Sequence, residues 1–177
     1  MKKRIMSAED IDRSLQRIAL QIVENNHGVD DLAIIGIHTG GVFLADRIQK
    51  LIQDREGSEL FAGTLDITLY RDDWSLASQN PVVKKTDIRF PVEEKVVVLV
   101  DDVIFTGRTI RAAMDALMDI GRPRCIQLAV LVDRGGRELP VQPDYVGMDI
   151  QVKANEHIHV RLSENSGCDE VVLTTRE

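Results

Sequence analysis

The segment Lys95 to Met118, KVVVLVDDVIFTGRTIRAAMDALM, decides the fold. Val96 to Val100 is a β-branched apolar run of the kind that forms a strand buried on both faces. It ends in two acids, Asp101 and Asp102, followed by a short loop, Val103 to Phe105, and then Thr106-Gly107-Arg108-Thr109. Beyond that turn Ile110, Met114, Leu117 and Met118 recur at helical spacing. The order is strand, acid pair, hydroxyl-and-glycine turn, helix.

This order has chemical consequences. A helix N-terminus leaves backbone N–H groups unpaired and partly positive, which suits an anion. Gly107 lets the backbone approach closely, and Thr106 and Thr109 add hydroxyl donors. The carboxylates just upstream accept hydrogen bonds from a sugar diol. A phosphate at one end and a diol at the other describe a ribose 5-phosphate, held at the C-terminal edge of a parallel sheet. Paired acids after a strand also serve as capping or loop residues. The hydroxyls and glycine at this spacing favour the ligand reading. No GxxxxGK[ST] and no GxGxxG occurs, so neither a P-loop nor a dinucleotide fingerprint is present.

A second strand–glycine–helix unit lies upstream. Leu32 to Ile37 reads as a buried strand, followed by His38-Thr39-Gly40-Gly41 and a helix carrying Val42, Leu44, Ala45, Ile48, Leu51 and Ile52. Two glycines allow backbone N–H groups to face an anion, though an ordinary βα turn has the same composition. Ile126 to Val132 predicts a third buried strand, ending in Asp133-Arg134-Gly135-Gly136-Arg137. At the N-terminus, Ser7 and Asp10 resemble a capping box ahead of an apolar stripe from Ile11 to Val23, closed by Asn26-His27-Gly28. Arg13 and Arg17 lie on its polar flank. Leu65, Ile67 and Leu69 alternate with polar neighbours as in a half-buried strand. Residues 71–92 are polar and long for a connection, as lids often are, and hold the single Trp, Trp74. His157 and His159 alternate on a strand with nothing else at ligand spacing. Val171 to Thr174 predicts a last strand returning to the N-terminus.

The chain has 177 residues, 44% of them hydrophobic, enough for one α/β domain with a substantial core. A net charge of -7 argues against a broadly basic nucleic-acid surface but leaves room for a local patch. Two distant cysteines, Cys125 and Cys168, fit reduced thiols. No stretch has signal or membrane-span length, so the expectation is a soluble, cytoplasmic protein.

VVVLVDDVIFTGRT resembles the phosphoribosyl-pyrophosphate (PRPP) motif of type I phosphoribosyltransferases. The longer match, through DITLYRDD (Asp66–Asp73), RAAMDALMDIGRP (Arg111–Pro123) and IQLAVLVDRGGRELP (Ile126–Pro140), is to the PyrR family. That family comprises pyrimidine operon attenuators with uracil phosphoribosyltransferase activity. The resemblance implies an α/β fold: a central, mostly parallel sheet flanked by helices, with a small hood formed by the terminal segments. It implies a single phosphoribosyltransferase-like domain over residues 1–177, with a flexible lid at about 71–92. Asp101 and Asp102 would be the catalytic acids, gripping the ribose hydroxyls directly or through PRPP-bound Mg2+. Val103, Ile104, Phe105, Thr106, Gly107, Arg108 and Thr109 would complete the PRPP site, and Thr39, Gly40 and Gly41 would hold pyrophosphate. Familiar relatives carry Thr-Arg-Gly in that last loop, so Gly40 removes one charged contact. Arg71 would reach the pyrophosphate, Arg134 would lie at the base end, and the backbone of Ile158 would read the ring.

The implied partners are PRPP, uracil, UMP or UTP, and pyrimidine-operon leader RNA, in a homodimer or higher homo-oligomer. Arg13, Arg17, Arg134 and Arg137 are candidate RNA contacts, and apolar helix faces such as the first are candidate subunit interfaces. Two alternatives keep the fold: a catalytically weak RNA-binding attenuator, and a purine phosphoribosyltransferase.

Overall fold

The computed structural model describes residues 2–73 and 84–175. The tip of the expected lid, with Trp74, lies outside them. The elements in order are β1 (Lys2–Met6), α1 (Ala8–Asn25), β2 (Leu32–Ile37), α2 (Gly40–Glu56), β3 (Phe61–Leu65), a 3-10 turn (Thr68–Tyr70), β4 (Val96–Ile104), α3 (Arg108–Ile120), β5 (Cys125–Asp133), β6 (Tyr145–Asp149), β7 (Glu156–Arg161), α4 (Ser163–Ser166) and β8 (Glu170–Thr175).

Five strands form one parallel sheet in the order β3-β2-β4-β5-β6. β2 and β4 are buried on both faces, which is why they read as unbroken apolar runs. Their side chains alternate between two cores. Leu32, Ile34, Val96, Val98 and Val100 meet α1 and α2 residues such as Ile22 and Ile48. Ala33, Ile35, Ile37, Val97 and Leu99 meet α3 through Ile110, Ala113 and Leu117. Each large aliphatic side chain so buried contributes about 1.5–3 kcal/mol. Within this order the crossover from β2 goes to β3 on one side, while β4 returns on the other. The C-terminal ends of β2 and β4 therefore flank a topological switch point, where open α/β sheets form their crevice.

α1 starts at the expected cap: the Ser7 hydroxyl accepts the Asp10 N–H, and Asp10 Oδ2 accepts the Ser7 N–H at 2.9 Å. The terminal segments build a second, antiparallel sheet, β1-β8-β7. It is tied to α2 by Arg47, whose guanidinium donates to Glu164, Asp169 and the Ser163 hydroxyl at 2.6–3.0 Å.

Several expectations need correction. β4 does not end at the acids but continues through Ile104, because Asp101 and Val103 keep their register with Val130 and Val132 of β5. The alternating run at Leu65–Leu69 leaves the strand at Leu65. The Asp66 carboxylate accepts both the N–H and the hydroxyl of Thr68, which turns the chain and leaves Leu69 exposed. Met118 is 55% exposed, and the buried face of α3 runs through Ala112, Ala113 and Ala116 instead. The stripe on α1 packs into the core through Ile11, Leu15, Ile18, Ala19 and Ile22, and Leu20 remains exposed beside it.

Candidate functional site

Two helices start at the switch point without side-chain caps. α3 follows Gly107, whose φ of +92° is open to glycine at little cost, and Gly107 has no side chain to satisfy the first amides. The Arg108 N–H turns back to Thr106 Oγ1 at 3.3 Å. A cavity of about 140 Å³ lies inside this bend, lined by residues from Val103 to Ile110. α2 follows Thr39, which likewise makes no capping bond. Gly41 is required here, since a Cβ would strike the Val100 carbonyl and lie 3.0 Å from Asp101 Cα. The start of α2 is thus pressed against β4 immediately before the acids. The His38–Thr39 peptide is cis.

A cleft of about 400 Å³ joins the two helix starts and is lined by Thr39, Gly40, Asp101, Asp102, Val103 and Thr109. His38, Asp66, Ile67, Thr68, Arg71 and Lys84 complete it. Asp101 is only 6% exposed, and its Oδ1 accepts the Asp102 N–H at 2.9 Å. Asp102 Oδ1 accepts the Val103 N–H at 2.8 Å. Burial, and then the neighbouring Asp102 charge, push the Asp101 carboxyl well above the usual carboxylate range. Burial also raises Asp102, against the opposing pull of the Val103 N–H. Two acids destabilised as anions form a favourable seat for a cation or for hydroxyl donors.

A second recess of about 390 Å³ adjoins the cleft, between Arg71–Asp73 and Thr106, Arg108 and Thr109. Arg108 bridges it, donating to Glu138 at 2.8 Å and to Asp72 at 2.5 Å. Arg71 grips Asp73 through two bonds of 2.8 and 2.7 Å. The Ile104 side chain points into the core, leaving only its backbone at the site, where its carbonyl accepts the Arg134 N–H at 3.2 Å.

Arg134 lies beyond Ile104, buried beneath the Phe105 ring at 3.9 Å from its centroid. Gly136 makes that stacking feasible: a Cβ there would lie 2.5 Å from Phe105 Cε2. Arg137 braces the same loop through Asp133, Phe105 O and Val141 O. Arg137 holds the Asp133 carboxyl below its usual range against the opposing effect of burial. Ile158 sits half-buried on β7 against the core, outside the part of the cleft that holds the acids.

The four arginines proposed as RNA contacts sit in different settings. Arg17 donates to the carbonyls of Val146 and Gly147, Arg134 is stacked and Arg137 is braced. Arg13 remains exposed beside Glu9. Among the described residues no cluster of three or more His, Cys, Asp or Glu could hold a metal. Asp66, Thr68 and Lys84 were absent from the expected site. They enter through the 3-10 turn and the returning connection; the DITLYRDD match spanned Asp66 and Thr68, and the expected lid at about 71–92 spanned Lys84.

Residues 3–166 match the family model described as the phosphoribosyl transferase domain. The chain is 54% identical over 176 residues to the bifunctional protein PyrR of Thermoanaerobacter pseudethanolicus, covering 99% of each. It is 51% identical over 172 residues to that of Deinococcus radiodurans, covering 97% of this chain and 94% of the relative. Among solved structures, a hypoxanthine phosphoribosyltransferase of Trypanosoma cruzi superposes with a TM-score of 0.73 at 19% identity, over 98% of this chain and 91% of the other. A purine phosphoribosyltransferase of Pyrococcus horikoshii gives 0.63 at 24% identity, over 82% and 85%. At these identities the structures speak for the fold alone. Fold, switch-point site and near-full-length identity converge: the chain belongs to the phosphoribosyl transferase domain family and, within it, to the PyrR proteins.

Proposed function

We propose that this protein transfers ribose 5-phosphate from PRPP to N1 of uracil, releasing UMP and pyrophosphate. Uridine nucleotides held in the same cleft govern its binding to pyrimidine-operon leader mRNA. The observation carrying this reading is the meeting of a buried acid pair with two uncapped helix N-termini at one switch point. The word bifunctional in the relatives' names supports the pairing of two roles.

In this reading Thr106 to Thr109, with the first amides of α3, hold the 5-phosphate and so fix the sugar. Asp101 and Asp102 accept hydrogen bonds from the ribose hydroxyls. Thr39 to Gly41 hold the pyrophosphate as negative charge collects on it. Arg134 under Phe105, with the Ile158 backbone, serves the base end. The ring N–H of uracil is acidic enough for attack without a dedicated base.

Magnesium fits these residues. The donors are hard oxygens, and Gly40 leaves open the space beside Asp102 Oδ2 that a Cβ would fill. With no protein cage among the described residues, substrate oxygens plus Asp101 or Asp102 would hold it. When bound, it supplies positive charge to the departing pyrophosphate.

The hood and the main sheet share one core through Leu162 and Val171, which supports a single domain; the expected lid at about 71–92 is anchored toward its far end, where Asp87 pairs with Thr64 and Val92 is buried. No helix among the described residues is long and apolar enough to cross a membrane, and a cytoplasmic location follows from the proposed role. A homo-oligomer would use apolar side chains left exposed, such as Met118 and Ile120. Purified protein given PRPP, magnesium and a panel of bases should consume uracil. Consumption of a purine instead, or of no base, refutes the assignment. A gel shift with leader RNA, sharpened by UMP, tests the regulatory half.

A further inference from the structure

We propose that Lys84 is the cation that holds the leaving pyrophosphate, an assignment resting on the transferase reading above. The loop His38–Gly41 contains no lysine or arginine. Position 40 has no room for one in this arrangement, because a Cβ on Gly40 would collide with the Asp102 carboxylate. A pyrophosphate on this loop meets backbone amides and the Thr39 hydroxyl. Those neutral donors bring no formal positive charge from the protein to the anion.

Lys84 comes from a different part of the chain. Its Nζ lies 2.7 Å from Thr39 Oγ1 and lines the same cleft as Asp101 and Asp102. The backbone that carries it is pinned. Thr64 and Asp87 exchange two N–H···O bonds of 3.0 and 2.9 Å, and Thr86 Oγ1 accepts the Asp66 N–H at 3.0 Å. The Lys85 carbonyl faces His38 Nε2 at 3.3 Å. The ammonium is thus delivered to the loop from a fixed edge of the sheet.

Its charge is also unspent. Among the described residues no carboxylate lies within 4.0 Å of Lys84 Nζ. The adjoining segment 74–83, WSLASQNPVV, contains no acid. Arg71, the guanidinium at this cleft, is already held by Asp73. An anion arriving at Lys84 therefore exchanges a neutral hydroxyl partner for a charge-assisted bond.

The test is titration of magnesium pyrophosphate, and separately of UMP, into wild type, Lys84→Met and Lys84→Arg by calorimetry, with steady-state kinetics alongside. Lys84→Met should weaken pyrophosphate binding and raise the KM for PRPP about tenfold, while UMP affinity stays within about twofold. Lys84→Arg should recover most of the loss. Pyrophosphate affinity within about twofold of wild type in Lys84→Met overturns the proposal, as does an equal loss for UMP. UMP formation by wild type reads the transferase assignment separately. Its absence beside Lys84-dependent pyrophosphate binding would sink only that assignment, and normal turnover in both proteins would sink only the role of Lys84.

Discussion

Gly36→Ala should damage the site without touching it. Gly36 lies in β2, and a Cβ there would sit 2.5 Å from Val42 Cα, 2.8 Å from Gly41 O and 2.9 Å from Val42 N. Every one of these atoms is backbone of the first turn of α2, so no rotamer change relieves the clash. Carbon atoms in ordinary contact are about 3.5 Å apart, so the turn must retreat by about 1 Å. Overpacking of this kind costs about 1–3 kcal/mol of stability. The kinetic effect should be larger in proportion. The displaced turn carries Gly40 and Gly41, and a 1 Å misplacement near reacting groups costs on the order of 100-fold in rate. The assay is kcat/KM for UMP formation, with urea unfolding to score stability. Gly57→Ala is the control: its φ of +66° makes it strained for about 1 kcal/mol, but no atom lies within 4 Å, so kinetics should not change. A cooperatively folded Gly36→Ala protein with kcat/KM within about threefold of wild type would refute the placement of the α2 N-terminus in the site.

Asp101→Asn should raise Tm at neutral pH. An acid whose folded pKa is raised favours the folded state only in its protonated form, so its ionisation destabilises the fold as pH rises above the unfolded value. The gain from Asn should vanish below about pH 4, and a lower Tm at neutral pH would contradict the burial argument. Combined with Asp102→Asn, the same change should abolish UMP formation in a folded protein. Arg47→Met should loosen the hood by about 1–2 kcal/mol in chemical unfolding, discounted for partial exposure of the ion pairs. Hydrogen bonds from Arg47 hold Glu164 and Asp169 below their usual range. Their contribution is present above the unfolded values and lost as pH falls through the folded ones. Arg47→Met should therefore lose stability less steeply on acidification than wild type, and parallel curves would count against the network.

The main sheet was legible because both its faces are covered. LAIIGI and VVVLV carry no polar interruption, and the acids and glycines beyond them mark the sheet edge where the site forms, although β4 itself runs on through Ile104. The two helix starts followed from the same punctuation. What stayed hidden depended on distant partners. Arg17 and Arg137 look like free surface charge until carbonyls from β6 and from the Phe105 loop meet them. The alternation through Leu69 looks like strand until the Asp66 side chain competes for the backbone. Lys84 sits in a polar connection that local pattern alone reads as loop. The Thr64–Asp87 bridge and the contacts beside it bring it to Thr39, 45 residues away.

The most direct measurement is a crystal structure of the protein with UMP. The phosphate should rest on the amides and hydroxyls of Thr106 to Thr109, with the ribose hydroxyls within hydrogen-bond reach of Asp101 or Asp102. A nucleotide seated elsewhere, or no binding at millimolar concentration, would contradict the account.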